Sequence, residues 1–257
     1  MKHRFYGVGV ATKEQTESYV ANCHALGIPS IKGTGRVRLA VIGGGHSVKD
    51  HIQELRDFDG DRWIIASAFH WCQEQGIDGT FFSVCPQPKI AQLATGAKDA
   101  ILASCSHPDV FTELKDAYVQ YFDLVSEGDM MNHGVSAATS TFVQALLVGY
   151  TDITFYGCDS SYLDGQTTHA YEDARHPYEL RVKANGEEFL TDPLLMLQAE
   201  YMAKMLSLPI KDALTGKPVQ IFKEKSGGLL RALISDPDYD IVGGTPAVRD
   251  ILYGKAA

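Results

Sequence analysis

Paired cysteines, long apolar runs and an excess of positive charge are all missing from this chain of 257 residues, and each absence removes a class of protein. The five cysteines, Cys23, Cys72, Cys85, Cys105 and Cys158, are odd in number, scattered and never in Cys-x-x-Cys spacing. That argues against a disulfide framework or a zinc knuckle and for a reducing compartment. No stretch approaches the roughly 20 consecutive apolar residues that a membrane span requires, so no span is expected. Met1–Ala11 carries basic residues, but its apolar run is short and stops at Thr12-Lys13-Glu14. A signal peptide is not expected, and a cytoplasmic location is. Lys and Arg number 23 against 32 acids, a formal net charge of −9. Nucleic-acid affinity rests on neutralising phosphates with Lys and Arg, so nucleic acid is not an expected partner. An anionic small molecule would have to be held locally, by hydrogen bonds and helix N-termini, against the global field.

What remains is an ordinary globular composition, 45% hydrophobic and 21% charged, long enough to bury a core as one domain. Short β-rich runs alternate with helical segments, the pattern of a mostly parallel sheet with helices on both faces. Strands are expected at 38–42, 62–67, 80–84, 100–103, 119–125 and 152–156. Helices are expected from the glycine turn to about Leu55, and over 69–75, 108–115 and 136–148. A strand at 5–10 and a helix at 14–26 precede them, as an N-terminal extension over 1–35 to a nucleotide-binding core over 36–159. The segment 160–190 is polar, dotted with aromatics and without clear periodicity, so it reads as a lid loop. A C-terminal helical segment, 191–257, opens with Asp192 as N-cap and Pro193 at the first helical position. Leu194, Leu197, Tyr201, Met205 and Leu208 fall on one face of that helix and are expected to pack on the core.

Three constellations carry candidate chemistry. The first is Gly43-Gly44-Gly45-His46-Ser47, directly after an apolar strand. Glycines there let the backbone turn sharply and a ligand approach the amides, while Ser47 could cap a following helix whose N-terminus favours an anion. The spacing is neither the dinucleotide fingerprint nor a Walker A loop, since Val48 falls where the third glycine would be and no Gly-Lys-Ser/Thr follows. The second is His133 to Ser140, with Ser136 and Ala137 opening a helix; a plain Ser136 cap explains it equally well. The third is Gly157-Cys158-Asp159 at a strand's end, followed by His169 in the polar segment. Asp159 is placed to face a ligand. His169 is a candidate general base, with Tyr162 and Tyr171 walling an acceptor pocket. His51 and His176 have no ligand-like spacing and are read as surface residues.

These blocks in order resemble the MptE-like family. The glycine turn is similar to its Gly-x-Gly-Pro-Ser motif. Ser136-Ala137-Ala138 through Leu147-Val148-Gly149-Tyr150, then Ile153 to Asp159, is similar to its second block, and Gly165-x-x-x-His169 also fits. The resemblance covers about residues 36–230. It implies a Rossmann-like fold and transfer from a nucleotide donor, by one of two chemistries. One is a Mg2+-dependent diphosphate transfer from ATP to 6-hydroxymethyl-dihydropterin. The other is a metal-independent, sialyltransferase-like transfer of an activated acidic sugar in surface-glycan systems. The chain departs from the family at His46, where Pro is usual, at Ser67, where Asn is common, and at Cys85, where an Asp usually precedes Pro. A thiol replaces the natural Mg2+ ligand there, which favours the glycan branch. The expectation is a transferase with no tightly bound cofactor, using a CMP-type nucleotide-sugar donor and a glycan or small-molecule acceptor hydroxyl. Gly43–Ser47, Ser67, Ser136, Ala137, Gly157 and Asp159 would hold the donor. A non-catalytic nucleotide-binding module is the alternative from a different class.

Overall fold

The computed structural model describes residues 11–33, 35, 37–123, 136–163, 179–208 and 220–245. Seven strands form one sheet, all of whose neighbouring pairs are parallel: β1 (Arg38–Ile42), β2 (Asp61–Ile65), β3 (Thr80–Ser83), β4 (Asp99–Ala103), β5 (Tyr118–Phe122), β6 (Asp152–Tyr156) and β9 (Gln220–Lys225). Their order across the sheet is β5-β4-β3-β2-β1-β6-β9. Strands buried on both faces read as continuous apolar runs, and β1 is such a run: Leu39, Ala40, Val41 and Ile42 are all fully buried. Alternate residues serve opposite cores. Leu39 and Val41 join Trp63, Phe82, Phe142 and Phe155 on one face, whereas Ala40 and Ile42 join Leu55, Phe69, Phe81 and Val110 on the other. Removing an aliphatic side chain such as Leu39 from water contributes ~2 kcal/mol, so this alternation pins the register of the central strands.

Helices α2 (Ile52–Arg56), α3 (Phe69–Glu74), α4 (Ile90–Leu93) and α5 (Pro108–Glu113) contribute to the second core, and α6 (Ala137–Leu147), α7 (Pro193–Ser207) and α8 (Gly228–Ser235) to the first. Helix α1 (Lys13–Ala25) packs by α5, where the Tyr19 and His107 rings meet edge-on with centroids 5.0 Å apart. The chain after α1 runs beside β5, with Ile31 N–H donating to the Tyr121 carbonyl at 2.7 Å. The expected α/β, Rossmann-like architecture is therefore present, with helices on both faces of a parallel sheet.

Two expectations are corrected. The segment read as a lid loop contains, at its C-terminal end, β7 (Leu180–Ala184) and the start of β8 (Glu187–Thr191), an antiparallel pair joined at Asn185-Gly186. Both turn residues have positive φ, 47° and 81°, the conformation of a two-residue hairpin turn. With β10 (Tyr239–Gly244) they make a second sheet, so the C-terminal segment is mixed rather than helical. Helix α7 has the expected cap: both Leu194 N–H and Leu195 N–H donate to Asp192 Oδ1. Its buried face, however, is Met196, Ala199, Met202 and Ala203, while Leu194 and Leu208 are exposed. The two alanines allow close approach to the core, and the larger leucines are left at the rim.

Candidate functional site

The sheet order reverses between β1 and β6: β1 leads to β2 on one side, while β6 lies on its other side. Ligands of open α/β sheets sit outside the carboxyl ends of the strands at such a switch point. A cleft of about 680 Å3 opens there. Gly43, Gly44 and Gly45 line it, as do Ser67, Ala137, Gly157 and Asp159, so the structure brings together residues from all three constellations. Its other walls were not foreseen. Trp71, Leu93, Leu194 and Leu195 supply apolar surface, and His70, Lys89, Gln92 and Gln198 supply polar groups. Lys89 sits at the cap position of α4, after the Pro86-Gln87-Pro88 turn that ends the β3 segment.

The glycine turn is shaped by the protein as well as by any ligand. Gly43 N–H donates to the Tyr156 carbonyl at 2.8 Å and Gly45 N–H to the Gly157 carbonyl at 2.7 Å. A Cβ on Gly43 would lie 2.5 Å from the Gly157 carbonyl oxygen, and one on Gly45 would lie 2.7 Å from both that oxygen and Asp159 Cγ. Gly157 has φ +62°, and a Cβ there would lie 2.6 Å from the Gly43 carbonyl oxygen. Side chains at these positions are excluded by backbone before any ligand is considered.

Ser47 does not cap a helix. A 3-10 turn, His46–His51, starts at Gly45 without a side-chain cap. Ser47 instead donates twice to Asp159, from its backbone N–H at 2.9 Å and from its hydroxyl. Gly227 N–H donates to the same carboxylate at 2.8 Å. Asp159 is 6% exposed, so its charge is balanced by these three donors. His46 and Ser47 do not line the cleft. Nor does Ser136, whose hydroxyl accepts from Thr139 N–H at 3.3 Å in a reciprocal capping box with Thr139. The following Ala137 and Ala138 present the start of α6 to the cleft.

Ser160, Ser161 and Tyr162, directly after Asp159, are tied down by hydrogen bonds. Ser160 is buried with φ 57°, uncommon for a side-chain-bearing residue, and three hydrogen bonds hold it. Its hydroxyl donates to the Cys158 carbonyl at 3.1 Å and accepts from Gln198 Nε2 at 2.9 Å, and its carbonyl accepts from the Thr191 hydroxyl at 2.8 Å. Cys158 N–H donates to Ser226 Oγ at 2.9 Å, and Leu229 N–H to Ser161 Oγ at 3.2 Å. Tyr162, expected in an acceptor pocket, is buried and does not line the cleft. Its hydroxyl donates to Asp192 Oδ2 at 3.1 Å. Burial and the Asp192 charge push this phenol well above its usual range, so it clasps β8 and α7 to the end of β6. His169, Tyr171 and His176 lie outside the described residues.

His51 is not a free surface residue: it pairs with Glu54 at 3.3 Å and its ring meets Tyr156 edge-on. The thiols are mostly inert. Burial pushes Cys72 up to about 12, and burial first, then neighbouring charge, pushes Cys23 and Cys105 up to about 11. Cys85 is half-buried. Among the described residues no group of three His, Cys, Asp or Glu side chains is placed to hold a metal ion, and no helix is long and apolar enough to cross a membrane.

No family model matches the chain, and no curated protein matches it. Among solved structures it is similar to the MAf glycosyltransferase from Magnetospirillum magneticum AMB-1, with a TM-score of 0.58 at 14% identity. The similarity covers 96% of this chain but 42% of that one, so the chain spans less than half that protein's length. A likeness at this identity speaks for the fold alone.

Proposed function

We propose that the chain is a nucleotide-dependent transferase of the MptE-like family, moving a CMP-activated acidic sugar onto an acceptor hydroxyl without a metal. The carrying observation is the cleft at the β1–β6 switch point, which the glycine turn and the start of α6 both line. Helix N–H groups favour an anionic ligand there. Trp71, Leu93 and Leu195 offer apolar surface for a base or a sugar ring. The preference for glycosyl over diphosphoryl transfer rests on Cys85, a thiol where the diphosphoryl chemistry would place a Mg2+-binding carboxylate; the MAf glycosyltransferase shares the fold.

In this reading the acceptor oxygen attacks the anomeric carbon and its proton passes to a base, for which His169 is proposed. The bond from that carbon to the phosphate oxygen breaks, and the electron pair leaves with CMP. Asp159 acts mainly by holding the two turns of the cleft in place, because its carboxylate already accepts from Ser47 and Gly227.

A thermal-shift screen with CMP, CDP, UDP, ADP and ATP, each with Mg2+ and with EDTA, tests the proposal, since a ligand that binds only the folded state raises its melting point. Stabilisation by CMP in EDTA is the expected result. Stabilisation by ATP only with Mg2+ would point to a diphosphokinase of the 6-hydroxymethylpterin type, and binding without turnover to a non-catalytic module. With turnover established, His169→Ala is expected to cost roughly 10²–10⁴ in rate while donor binding persists; an unchanged rate removes His169 from the mechanism.

A further inference from the structure

Among the described residues, four side chains on the cleft wall are ordinarily ionisable near neutral pH or carry charge there: His70, Lys89, Asp159 and Asp192. The two acids are committed. Asp159 accepts from Ser47 N–H, the Ser47 hydroxyl and Gly227 N–H. Asp192 accepts from Leu194 N–H, Leu195 N–H and the Tyr162 hydroxyl. Lys89, by contrast, has no ion-pair or hydrogen-bond partner among the described residues, and its side chain is exposed at the cleft. In a chain of net charge −9, the uncommitted charge that the described residues bring to this cleft is therefore positive.

The glycine turn is another candidate phosphate site. There, however, the Ser47 N–H already meets the Asp159 carboxylate at 2.9 Å, and the N–H groups of Gly43 and Gly45 are spent on the carbonyls of Tyr156 and Gly157. A second anion beside a buried carboxylate would meet like-charge repulsion at low local dielectric. The turn spends the Gly43, Gly45 and Ser47 N–H groups on its own contacts, so beside the Gly44 backbone it offers a ligand surface rather than charge.

We infer that Lys89 is the phosphate-recognising residue of this cleft, a specificity-determining cation that favours a nucleotide over its nucleoside. The inference rests on the nucleotide reading given above. It moves the phosphate away from Ser47 and Asp159, toward the α3–α4 wall that carries His70, Lys89 and Gln92, and leaves the glycine turn to the uncharged part of the ligand. Lysine suits this task as a mobile point charge on a long stem.

Isothermal titration of CMP with cytidine, UMP with uridine and AMP with adenosine, in EDTA at low ionic strength, separates the two claims. Wild type should bind at least one nucleotide more tightly than its nucleoside. In Lys89→Ala that advantage should shrink roughly tenfold or more, the usual worth of a hydrogen bond to a charged group. Nucleoside affinity should stay unchanged, and Lys89→Arg should retain most of the advantage. A melting point equal to wild type establishes that the exposed substitution leaves the fold intact. A nucleotide advantage undiminished in Lys89→Ala overturns the assignment to Lys89 and leaves the nucleotide reading standing. Absence of binding by every nucleotide and nucleoside to wild type overturns that reading, and the inference with it.

Discussion

The carboxylate of Asp159, at the end of β6, accepts hydrogen bonds from both the backbone N–H and the hydroxyl of Ser47, at the end of the glycine turn that follows β1. The two strands are neighbours in the sheet, and this pair fastens their carboxyl ends together. Gly227 N–H completes the coordination of the same carboxylate. Asp159→Ala would leave these part-buried donors without partners, at ~1–3 kcal/mol each. A total loss on the order of 3 kcal/mol is expected in urea unfolding. Asp159→Asn should lose less, because its amide oxygen can still accept from Gly227 while its NH2 opposes Ser47 N–H.

The adjacent glycines Gly227 and Gly228 should respond oppositely to alanine. A Cβ on Gly227 meets Ser47 Cβ at 3.5 Å, an ordinary contact, and its φ of −110° suits any residue. Its effect should stay within about 0.5 kcal/mol. Gly228 has φ +58°, and a Cβ there would lie 2.2 Å from Ser161 Oγ and 2.8 Å from the Asp159 carbonyl oxygen. Strain at positive φ alone costs ~1–2 kcal/mol, so Gly228→Ala should be clearly destabilised. Equal melting points for the two variants would contradict the docking of this turn on Asp159–Ser161.

The thiols make a third test. Cys23, Cys72, Cys105 and Cys158 are buried, and Cys85 is half-exposed. A disulfide-exchange reagent should therefore titrate one thiol rapidly in native protein and all five after denaturation. Cys85→Ser should abolish the fast phase.

Legibility from sequence followed the range of the contacts. β1 and β6 were readable to the residue or nearly so, because strands buried on both faces leave apolar runs, Leu39–Ile42 and, broken only by Thr154, Ile153–Tyr156, that stop at Gly43 and Gly157. The β7–β8 hairpin was also written locally. Leu180, Val182 and Ala184 alternate with exposed Arg181 and Lys183 ahead of Asn185-Gly186, a strong hairpin signal that the polar character of the surrounding segment masked. The roles of Ser47, Gly227 and Lys89 had no local signature. Ser47 and Gly227 meet Asp159 across 112 and 68 residues of sequence, and such pairings emerge only from the sheet order. Lys89 looks like any loop lysine until the cleft is formed around it.

Acid should loosen the far side of β6. Burial pushes the Glu54 carboxyl up, but the Lys225 ammonium and the Tyr156 hydroxyl outweigh it and hold the group below its usual 4.5. A depressed folded value means that the stabilisation is complete above the ordinary glutamate range and is lost as pH falls through the folded value. The pair is partly exposed, with Glu54 at 41%, so its worth is limited to ~1 kcal/mol. Lys225→Met should be less stable than wild type near neutrality, and the difference should vanish at the acid end, below the folded value of Glu54. A gap that widened in acid would contradict the assignment.

Nucleotide binding at the β1–β6 switch point is the central claim, and the two tryptophans give direct access to it. Trp71 lines the cleft, whereas Trp63 is stacked on Phe82 in the core, ring centroids 5.6 Å apart. In a Trp63→Phe background the emission comes from Trp71 alone. Titrating CMP into that protein in EDTA should give a saturable change in Trp71 emission, with cytidine acting more weakly. Flat titrations with CMP, CDP, UDP, ADP and ATP, with and without Mg2+, in a protein that melts cooperatively would contradict the claim.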